Sequence, residues 1–178
     1  MACALMYSPN YNSIIMKHIV IAMCAVLAAA ALRPSEVTAQ GQPNMYGPTI
    51  TADQAKSVAA AAVAEARKNQ WTMAVAIVDP AGDLVYFEKM DNTQVGSIDV
   101  AIAKARSSAR FKRPTKAFQD ALAAGGEGWR LLTLEGAVAV EGGLPLVVGG
   151  KIVGAIGASG GASQQDGITA AAGAGTLK

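Results

Sequence analysis

Apolar residues recur at helical spacing in two long stretches of the chain, and each stretch predicts a helix. The first helix begins at a capping box formed by Thr51 and Gln54. Its inward face is rich in small residues and consists of Ala55, Val58, Ala59, Ala62 and Ala66. The second helix is expected to be capped by Ser97, to end at Pro114 and to carry an inward stripe of Ile98, Ala101, Ile102, Ala105 and Ala109.

Residues that typically cap or end helices predict two shorter helices. Thr115 can cap a short third helix, which Gly125 and Gly126 would close. A last helix is expected to begin near Ser163, where Ser163 and Asp166 mimic a capping box.

The stretches between the helices have the pattern of β-strands. In "TMAVAIVDPAGDLVYFEK" two β-rich runs flank the turn residues 79–83, which predicts an antiparallel hairpin. Residues 73–78 are apolar on both faces, so this strand is expected to be central. The later stretch "GAVAVEGGLPLVVGGKIVGAIGASGG" predicts up to three more strands, with Gly149 and Gly150 at a tight turn. The element order predicts an α/β (α+β) fold with a five-stranded antiparallel sheet flanked by helices.

The beginning of the chain reads as a signal peptide. Lys17 and His18 precede an apolar run over residues 19–32, and Val37 and Ala39 give the small-x-small pattern of a cleavage site. The run is shorter than the roughly 20 residues of a spanning helix, which makes a retained anchor the weaker alternative. We therefore expect residues 1–39 to be removed, 40–50 to be a flexible arm and 51–178 to be one periplasmic or secreted domain without a membrane span. Met16 is the expected start.

Removal of this leader changes the available chemistry. Both cysteines, Cys3 and Cys24, and the single histidine, His18, lie in it. The rest of the chain then offers no disulfide, no structural zinc site and no Cys or His nucleophile. From residue 40 onward there are 13 Lys and Arg against 12 Asp and Glu. Balanced charge of this kind argues against general binding of nucleic acid.

Positive charge is nevertheless concentrated in "KARSSARFKRPTKAF", residues 104–118, which contain six Lys and Arg and no acid. Arg106 and Arg110 share one helix face, expected to lie opposite the apolar stripe, and Arg113 is expected to extend their row. The stretch is either a solvated helix face or a wall that binds carboxylates, because guanidinium holds carboxylate bidentately. Phe111 and Phe118 are too few to form a stacking platform for nucleic acid.

The glycine-rich stretch "GAIGASGGASQQD" also has two interpretations. Its backbone N–H groups can cradle an anion at the start of the last helix, or its glycines can let a strand and a helix pack closely. Asp166 is either a cap partner or an acid catalyst, and Thr115 either caps the third helix or faces a ligand.

Three motifs in order, "VDPAGDLVYFEKMD", "KARSSARFKRPT" and "GGLPLVVGGKIVGAIGASGGASQQD", resemble the GlcG/HbpS family, the haem-degrading domain family related to the C-terminal domain of PduO-type proteins. The resemblance covers residues 50–178. It implies a profilin-like fold, a homo-oligomer and a ligand cleft near Arg113, Pro114 and Thr115. Some members are implied to bind or degrade haem, and others accompany glycolate or diol catabolism. The chain departs from the family at residues 89–92, Lys-Met-Asp-Asn, where relatives often read Arg-Met-Asp-Gly.

If haem is the cofactor, its iron needs an axial ligand from a set without His or Cys. The candidates are a lysine, Met45, Met73, Met90, Tyr46, Tyr86 and Thr115. Met73 and Tyr86 lie in predicted strands, whereas Met90 lies in a loop and is expected to be the most accessible. Such weak ligands predict loose, transient haem binding, and no structural metal is expected.

The leading hypothesis is a protein that binds haem or a related carboxylated ligand. The ligand would lie between the basic helix, which contains Arg106 and Arg110, and the glycine-rich turn within residues 154–166. One alternative is an enzyme acting on a small hydroxy acid, with Asp91, Asp166 or Lys104 as acid or base. Another is an accessory protein of a sensor or transporter. The candidate ligand-binding residues are Met90, Asp91, Lys104, Arg106, Arg110, Arg113, Thr115, Gly157, Ser159, Gly160, Gly161 and Asp166.

Overall fold

The computed structural model describes residues 45–177, so the predicted signal peptide and the start of the arm lie outside the described residues. The strands are β1 (Met45–Tyr46), β2 (Ala74–Val78), β3 (Leu84–Lys89), β4 (Gly143–Val148) and β5 (Lys151–Ser159). The α-helices are α1 (Ala52–Lys68), α2 (Ser97–Phe111), α3 (Thr115–Ala123) and α4 (Ser163–Ala174), and a 3-10 helix covers Gly126–Thr133. No helix in this part of the chain is long and apolar enough to cross a membrane.

The strands form one five-stranded sheet in which β5 has the most partners. It pairs antiparallel with β4 along one edge, and with β1 and then β2 along the other, while β3 pairs antiparallel with β2. This confirms the predicted fold class, with one exception to the antiparallel pattern. The short strand β1 pairs in parallel with the start of β5, through Met45 with Lys151 and Tyr46 with Ile152.

The fifth strand therefore comes from the predicted flexible arm and not from residues 136–140, which form no strand. In that stretch Gly136 has a φ of +79°. The backbone N–H of Val138 donates to the Ser107 hydroxyl at 3.0 Å instead of to a neighbouring strand. The apolar run of these residues was a misleading signal because a side chain of α2 takes a hydrogen bond that a sheet would need.

The two apolar faces of β2 pack against different helices. Val75 and Ile77 belong to the core cluster that includes residues of α1 and α4. The alternating residues of the same strand pack instead on the stripe of small residues on α2, and this second cluster consists of Ala74, Ala76, Val78, Ala101, Ala105, Ala109 and Ala155. The predicted central position of this strand is confirmed, since β2 pairs with β3 along one edge and with β5 along the other, and helices cover both of its faces.

Several local predictions are also confirmed. The capping box joins Thr51 and Gln54 at the start of α1. Asp79 Oδ1 accepts the backbone N–H groups of Gly82 and Asp83, each at 2.9 Å, and so closes the β2–β3 hairpin. In the β4–β5 turn, residues 149–150 have φ values of +55° and +75°, a conformation that glycine adopts without steric cost.

Three predicted caps are wrong. Ser97, Thr115 and Ser163 are the first helical residues, and the cap positions are held by Gly96, Pro114 and Ala162. The hydroxyl groups of the first two bond elsewhere: Ser97 with Ser159 at 3.3 Å, and Thr115 with the N–H of Gly143 at 2.9 Å. In both cases a tertiary contact takes the place of the helix N–H group that a cap would bind, and the Ser97 hydroxyl also accepts from the Gln94 side chain at 3.0 Å.

The last helix is also capped differently from the prediction. Gln165 Oε1 accepts the N–H of Ala162 at 2.9 Å, which fills the role expected of Asp166. That leaves the Asp166 carboxylate available for an interaction in the protein interior.

Candidate ligand-binding clefts

Lys104 and Asp166, both predicted site residues, meet inside the protein. Lys104 Nζ lies 2.6 Å from Asp166 Oδ2 and 3.2 Å from the carbonyl oxygen of Ala158. Their side chains are only 1% and 4% exposed. The second carboxylate oxygen, Oδ1, accepts the N–H of Gly161 at 3.1 Å. The pair links α2 to the glycine-rich turn from within and has no access for a substrate.

The electrostatics of this pair are set by burial. Burial raises the pKa of the Asp166 carboxyl above its ordinary value, because a charged carboxylate loses its hydration there. Lys104, together with the backbone N–H groups of Gly161 and Gly160, acts in the opposite direction and offsets part of that rise. The carboxylate is thus held by its partners against the cost of removing it from water.

The glycines of the same turn serve close packing. A Cβ on Gly157 would overlap the carbonyl oxygen of Ala101 and lie 2.6 Å from the N of Ala105, so α2 rests directly on the β5 backbone. A Cβ on Gly160 would overlap the carbonyl oxygen of Thr72. The predicted ligand site between α2 and the glycine-rich residues 154–161 is therefore wrong, because protein atoms fill that space.

Arg106 and Arg110 instead line a cleft on the outer side of α2, which we call the hairpin cleft. Its volume is about 310 Å³. The lining residues are Asp99, Ile102, Ala103, Arg106, Arg110, Gly136, Ala137 and Val138. Ile102, Arg106 and Arg110 lie on the same face of α2, because residues four apart share a helix face. The expectation that the two arginines lie opposite the apolar stripe is therefore wrong for Ile102.

Arg113 does not continue this row. The helix ends at Phe111, and Lys112 adopts a left-handed conformation with a φ of +54°, which turns the chain before Pro114 is reached. Arg113 contributes instead to a second cleft of about 390 Å³, which we call the aromatic cleft. Its lining residues are Phe111, Arg113, Phe118, Arg130, Leu131, Thr133 and Leu134.

Two packed phenylalanine rings form the apolar floor of the aromatic cleft. Phe111 and Phe118 pack edge to face with ring centroids 5.4 Å apart, and Phe118 is only 4% exposed. The guanidinium of Arg113 lies over the Phe118 ring, 5.5 Å from its centroid, and its Nε donates to the carbonyl of Phe111 at 3.1 Å. These contacts hold one cation at the edge of an apolar surface.

The other wall of the aromatic cleft was missed by the sequence analysis. Arg130, Leu131 and Thr133 belong to the 3-10 helix, and Leu134 follows it directly. A three-residue period links Leu131 to Leu134 and Arg130 to Thr133, which is the spacing that a 3-10 helix places on one side. That period was the available signal in "WRLLTL".

The remaining predicted site residues line neither cleft. Met90 is half-buried against the core and Asp91 is exposed, both in the loop after β3. Met90 is not the most accessible axial candidate, since Met45 is 67% exposed. Thr115 is fully buried. Asn92, where relatives often have glycine, has a φ of +63°, a left-handed conformation that asparagine tolerates.

Comparison with known proteins supports the predicted resemblance. The family model described as "Haem degrading protein HbpS-like" matches residues 50–175. Protein GlcG of Escherichia coli K12 is 33% identical over 110 residues, which cover 62% of this chain and 81% of GlcG.

Solved structures agree with the sequence comparison. A double mutant of Streptomyces reticuli HbpS superposes with a TM-score of 0.68 at 28% identity and covers 82% of this chain and 99% of its own. The structure of a PduOC:heme complex gives a TM-score of 0.67 at 25% identity over 73% of this chain and 96% of PduOC. The family match, the sequence relative and the shared fold lead to one conclusion: this chain belongs to the HbpS-like family of haem-degrading proteins.

Proposed function

We propose that this protein binds haem, or a carboxylated ligand of similar shape, in the aromatic cleft. The observation that carries the proposal is the combination of two arginines, Arg113 and Arg130, with an apolar surface that includes Phe111 and Phe118. The family description and the haem complex of the related PduOC support this choice of ligand. The cleft volume of about 390 Å³ lies within the range of small-molecule sites.

The two kinds of lining residue match the two parts of haem. Phenylalanine and leucine side chains offer an apolar surface for the macrocycle, whereas guanidinium groups form charge-assisted hydrogen bonds with propionate carboxylates. Arg113 is oriented by its contacts with Phe111 and Phe118 before any ligand arrives. Less side-chain entropy is therefore lost when it binds a carboxylate.

The iron would find no strong ligand in this lining. Thr133 offers the one side-chain oxygen among the lining residues, and its hydroxyl already donates to the carbonyl of Arg130 at 2.8 Å. Bound haem would supply a redox-active iron. The lining has no carboxylate, imidazole or thiol for proton transfer, so we propose loose binding and not catalysed cleavage.

The alternative of an enzyme acting on a small hydroxy acid has less support. Two of its three proposed acid or base groups, Lys104 and Asp166, are buried in an ion pair with each other. The third, Asp91, is exposed and lines neither arginine cleft.

We further propose that the protein acts as a periplasmic or secreted homo-oligomer. The apolar run and small-x-small pattern before residue 40 support export. Trp129 and Leu132, which are 64% and 74% exposed, support association through the surface beside the aromatic cleft.

Titration of the full chain with haemin, followed by absorbance, tests the binding proposal. A saturable Soret change is expected. No saturable change at any haemin concentration would contradict it.

A further inference from the structure

Arg106 and Arg110 are held in place by the β2–β3 hairpin. Arg106 Nε donates to the carbonyl of Gly82 at 3.0 Å, and Arg110 Nε donates to the carbonyl of Ala81 at 2.9 Å. With the Nε–H groups used in this way, the terminal guanidinium nitrogens remain for another partner. Neither guanidinium forms an ion pair with an acid within residues 45–177.

The rest of the hairpin cleft is mostly apolar and is fixed to the same helix. Ile102 and Ala103 form part of the α2 side, and residues 136–138 form the opposite wall. The hydrogen bond from Val138 N to the buried Ser107 hydroxyl ties that wall to α2. Two oriented cations therefore lie beside a small apolar surface in a cleft of about 310 Å³.

One acid also lines this cleft. Asp99 lies two helical turns from Arg106, roughly 10 Å along the axis of α2. A ligand with a carboxylate at each end would bring its second negative charge toward this residue. The charge pattern thus disfavours dicarboxylates and favours a single carboxylate with a neutral tail.

We propose that the hairpin cleft is a second binding site, specific for a short-chain monocarboxylate. Arg106 and Arg110 would hold the carboxylate, and Ile102 with the facing wall would contact the alkyl tail. A ligand of this size is expected to bind with a Kd on the order of 1 mM. The proposal does not rest on haem binding, because the hairpin and aromatic clefts share no lining residue.

Protection from chemical modification tests the proposal on the unaltered full chain. Phenylglyoxal modifies exposed arginines, and mass spectrometry gives the rate at each position. Butyrate at about 10 mM should slow modification of Arg106 and Arg110 by about tenfold relative to sodium chloride of equal ionic strength. The exposed Arg67 on α1 is the control and should react at the same rate in both salts.

Three outcomes would overturn the proposal. Equal modification of Arg106 with and without butyrate means that the site does not bind it. Equal protection of Arg67 means that butyrate acts nonspecifically. Stronger protection by phosphate or glutarate than by butyrate means that the site does not select a single carboxylate with an apolar tail.

A variant separates this site from the haem site. The double change Arg106→Gln and Arg110→Gln should weaken butyrate binding by at least about tenfold in calorimetry. The matched change Arg113→Gln and Arg130→Gln should leave butyrate affinity unchanged. Loss of butyrate binding in the second variant but not in the first would assign the carboxylate to the aromatic cleft and overturn the proposal.

Discussion

Lys104 Nζ contacts Asp166 Oδ2 at 2.6 Å in the protein interior, and this ion pair joins α2 to the start of α4. Both residues are candidates for ligand binding or acid–base chemistry when the sequence is considered alone. Their burial instead makes them a structural link beneath the glycine-rich turn. The exposed Arg106 and Arg110 of the same helix do not take part in this ion pair and line a cleft on its outer side.

Replacing Lys104 with methionine should destabilise the fold strongly. The change leaves the Asp166 carboxylate buried without its partner, which costs about 3–5 kcal/mol in comparable buried pairs. Urea unfolding at a fixed protein concentration measures this free energy. Lys116→Met is the matched control, because it breaks an exposed pair with Asp120 and should lower the unfolding free energy far less than Lys104→Met does. Similar losses in both variants would contradict the structural role of the buried pair.

The buried carboxyl also predicts a pH dependence of stability. Because burial raises the pKa of Asp166 in the folded state, the folded protein retains its proton at a pH where the unfolded chain has released it. The stabilising contribution of this group is complete below its unfolded pKa of about 3.9 and is lost as pH rises through the raised folded pKa. The stability of the wild type relative to Asp166→Asn should therefore fall as pH rises above about 4. A relative stability that rises over this range would mean that the attraction of Lys104 exceeds the effect of burial.

Much of the fold was predictable because its signals are local and repeated. The continuous apolar run of β2, the small-residue faces of α1 and α2 and the Gly149–Gly150 turn each predict an element without reference to the rest of the chain. The strand β1 was not predictable, since two residues carry no period and their pairing depends on β5 more than 100 positions later. The predicted caps at Ser97 and Thr115 failed because a distant partner binds the hydroxyl, as Gly143 does for Thr115.

Gly157 should not tolerate a side chain. Replacement by alanine would force its Cβ against the backbone of α2 at Ala101 and Ala105, and overpacking of this kind costs about 1–3 kcal/mol or more. The matched change Gly96→Ala adds a methyl group with no atom within 4 Å. Because Gly96 holds the cap position of α2, where alanine is less favourable than glycine, we expect a cost of at most about 1 kcal/mol, less than that of Gly157→Ala. Equal thermal stabilities of the two variants would contradict the close helix-to-strand contact.

The Thr115 hydroxyl should stabilise the fold by accepting the hydrogen bond from the N–H of Gly143. Thr115→Val keeps the shape but leaves the buried N–H of Gly143 without its partner, which is expected to cost about 1–3 kcal/mol. Thr115→Ser retains the hydroxyl and should recover most of that stability. If valine is as stable as threonine in urea unfolding, this hydrogen bond has no structural role.

The candidate site was only partly predictable. The sequence located the basic residues of α2, but helical spacing alone could not reveal that Lys112 turns the chain and moves Arg113 into a separate cleft. The residues that the 3-10 helix contributes to the aromatic cleft were not predicted from the sequence, because short helices of this type have a weak periodicity. Lys104 and Arg106 illustrate the same difficulty: two positions apart, one is buried and the other exposed.

The central claim is that the aromatic cleft binds haem through Arg113 and Arg130. Haemin titrations of the wild type, of Arg113→Ala with Arg130→Ala and of Arg106→Ala with Arg110→Ala test it most directly. We expect the affinity for haemin to fall about tenfold or more in the first double variant and to stay at the wild-type value in the second. An unchanged affinity in the first double variant, or a loss confined to the second, would contradict the assignment.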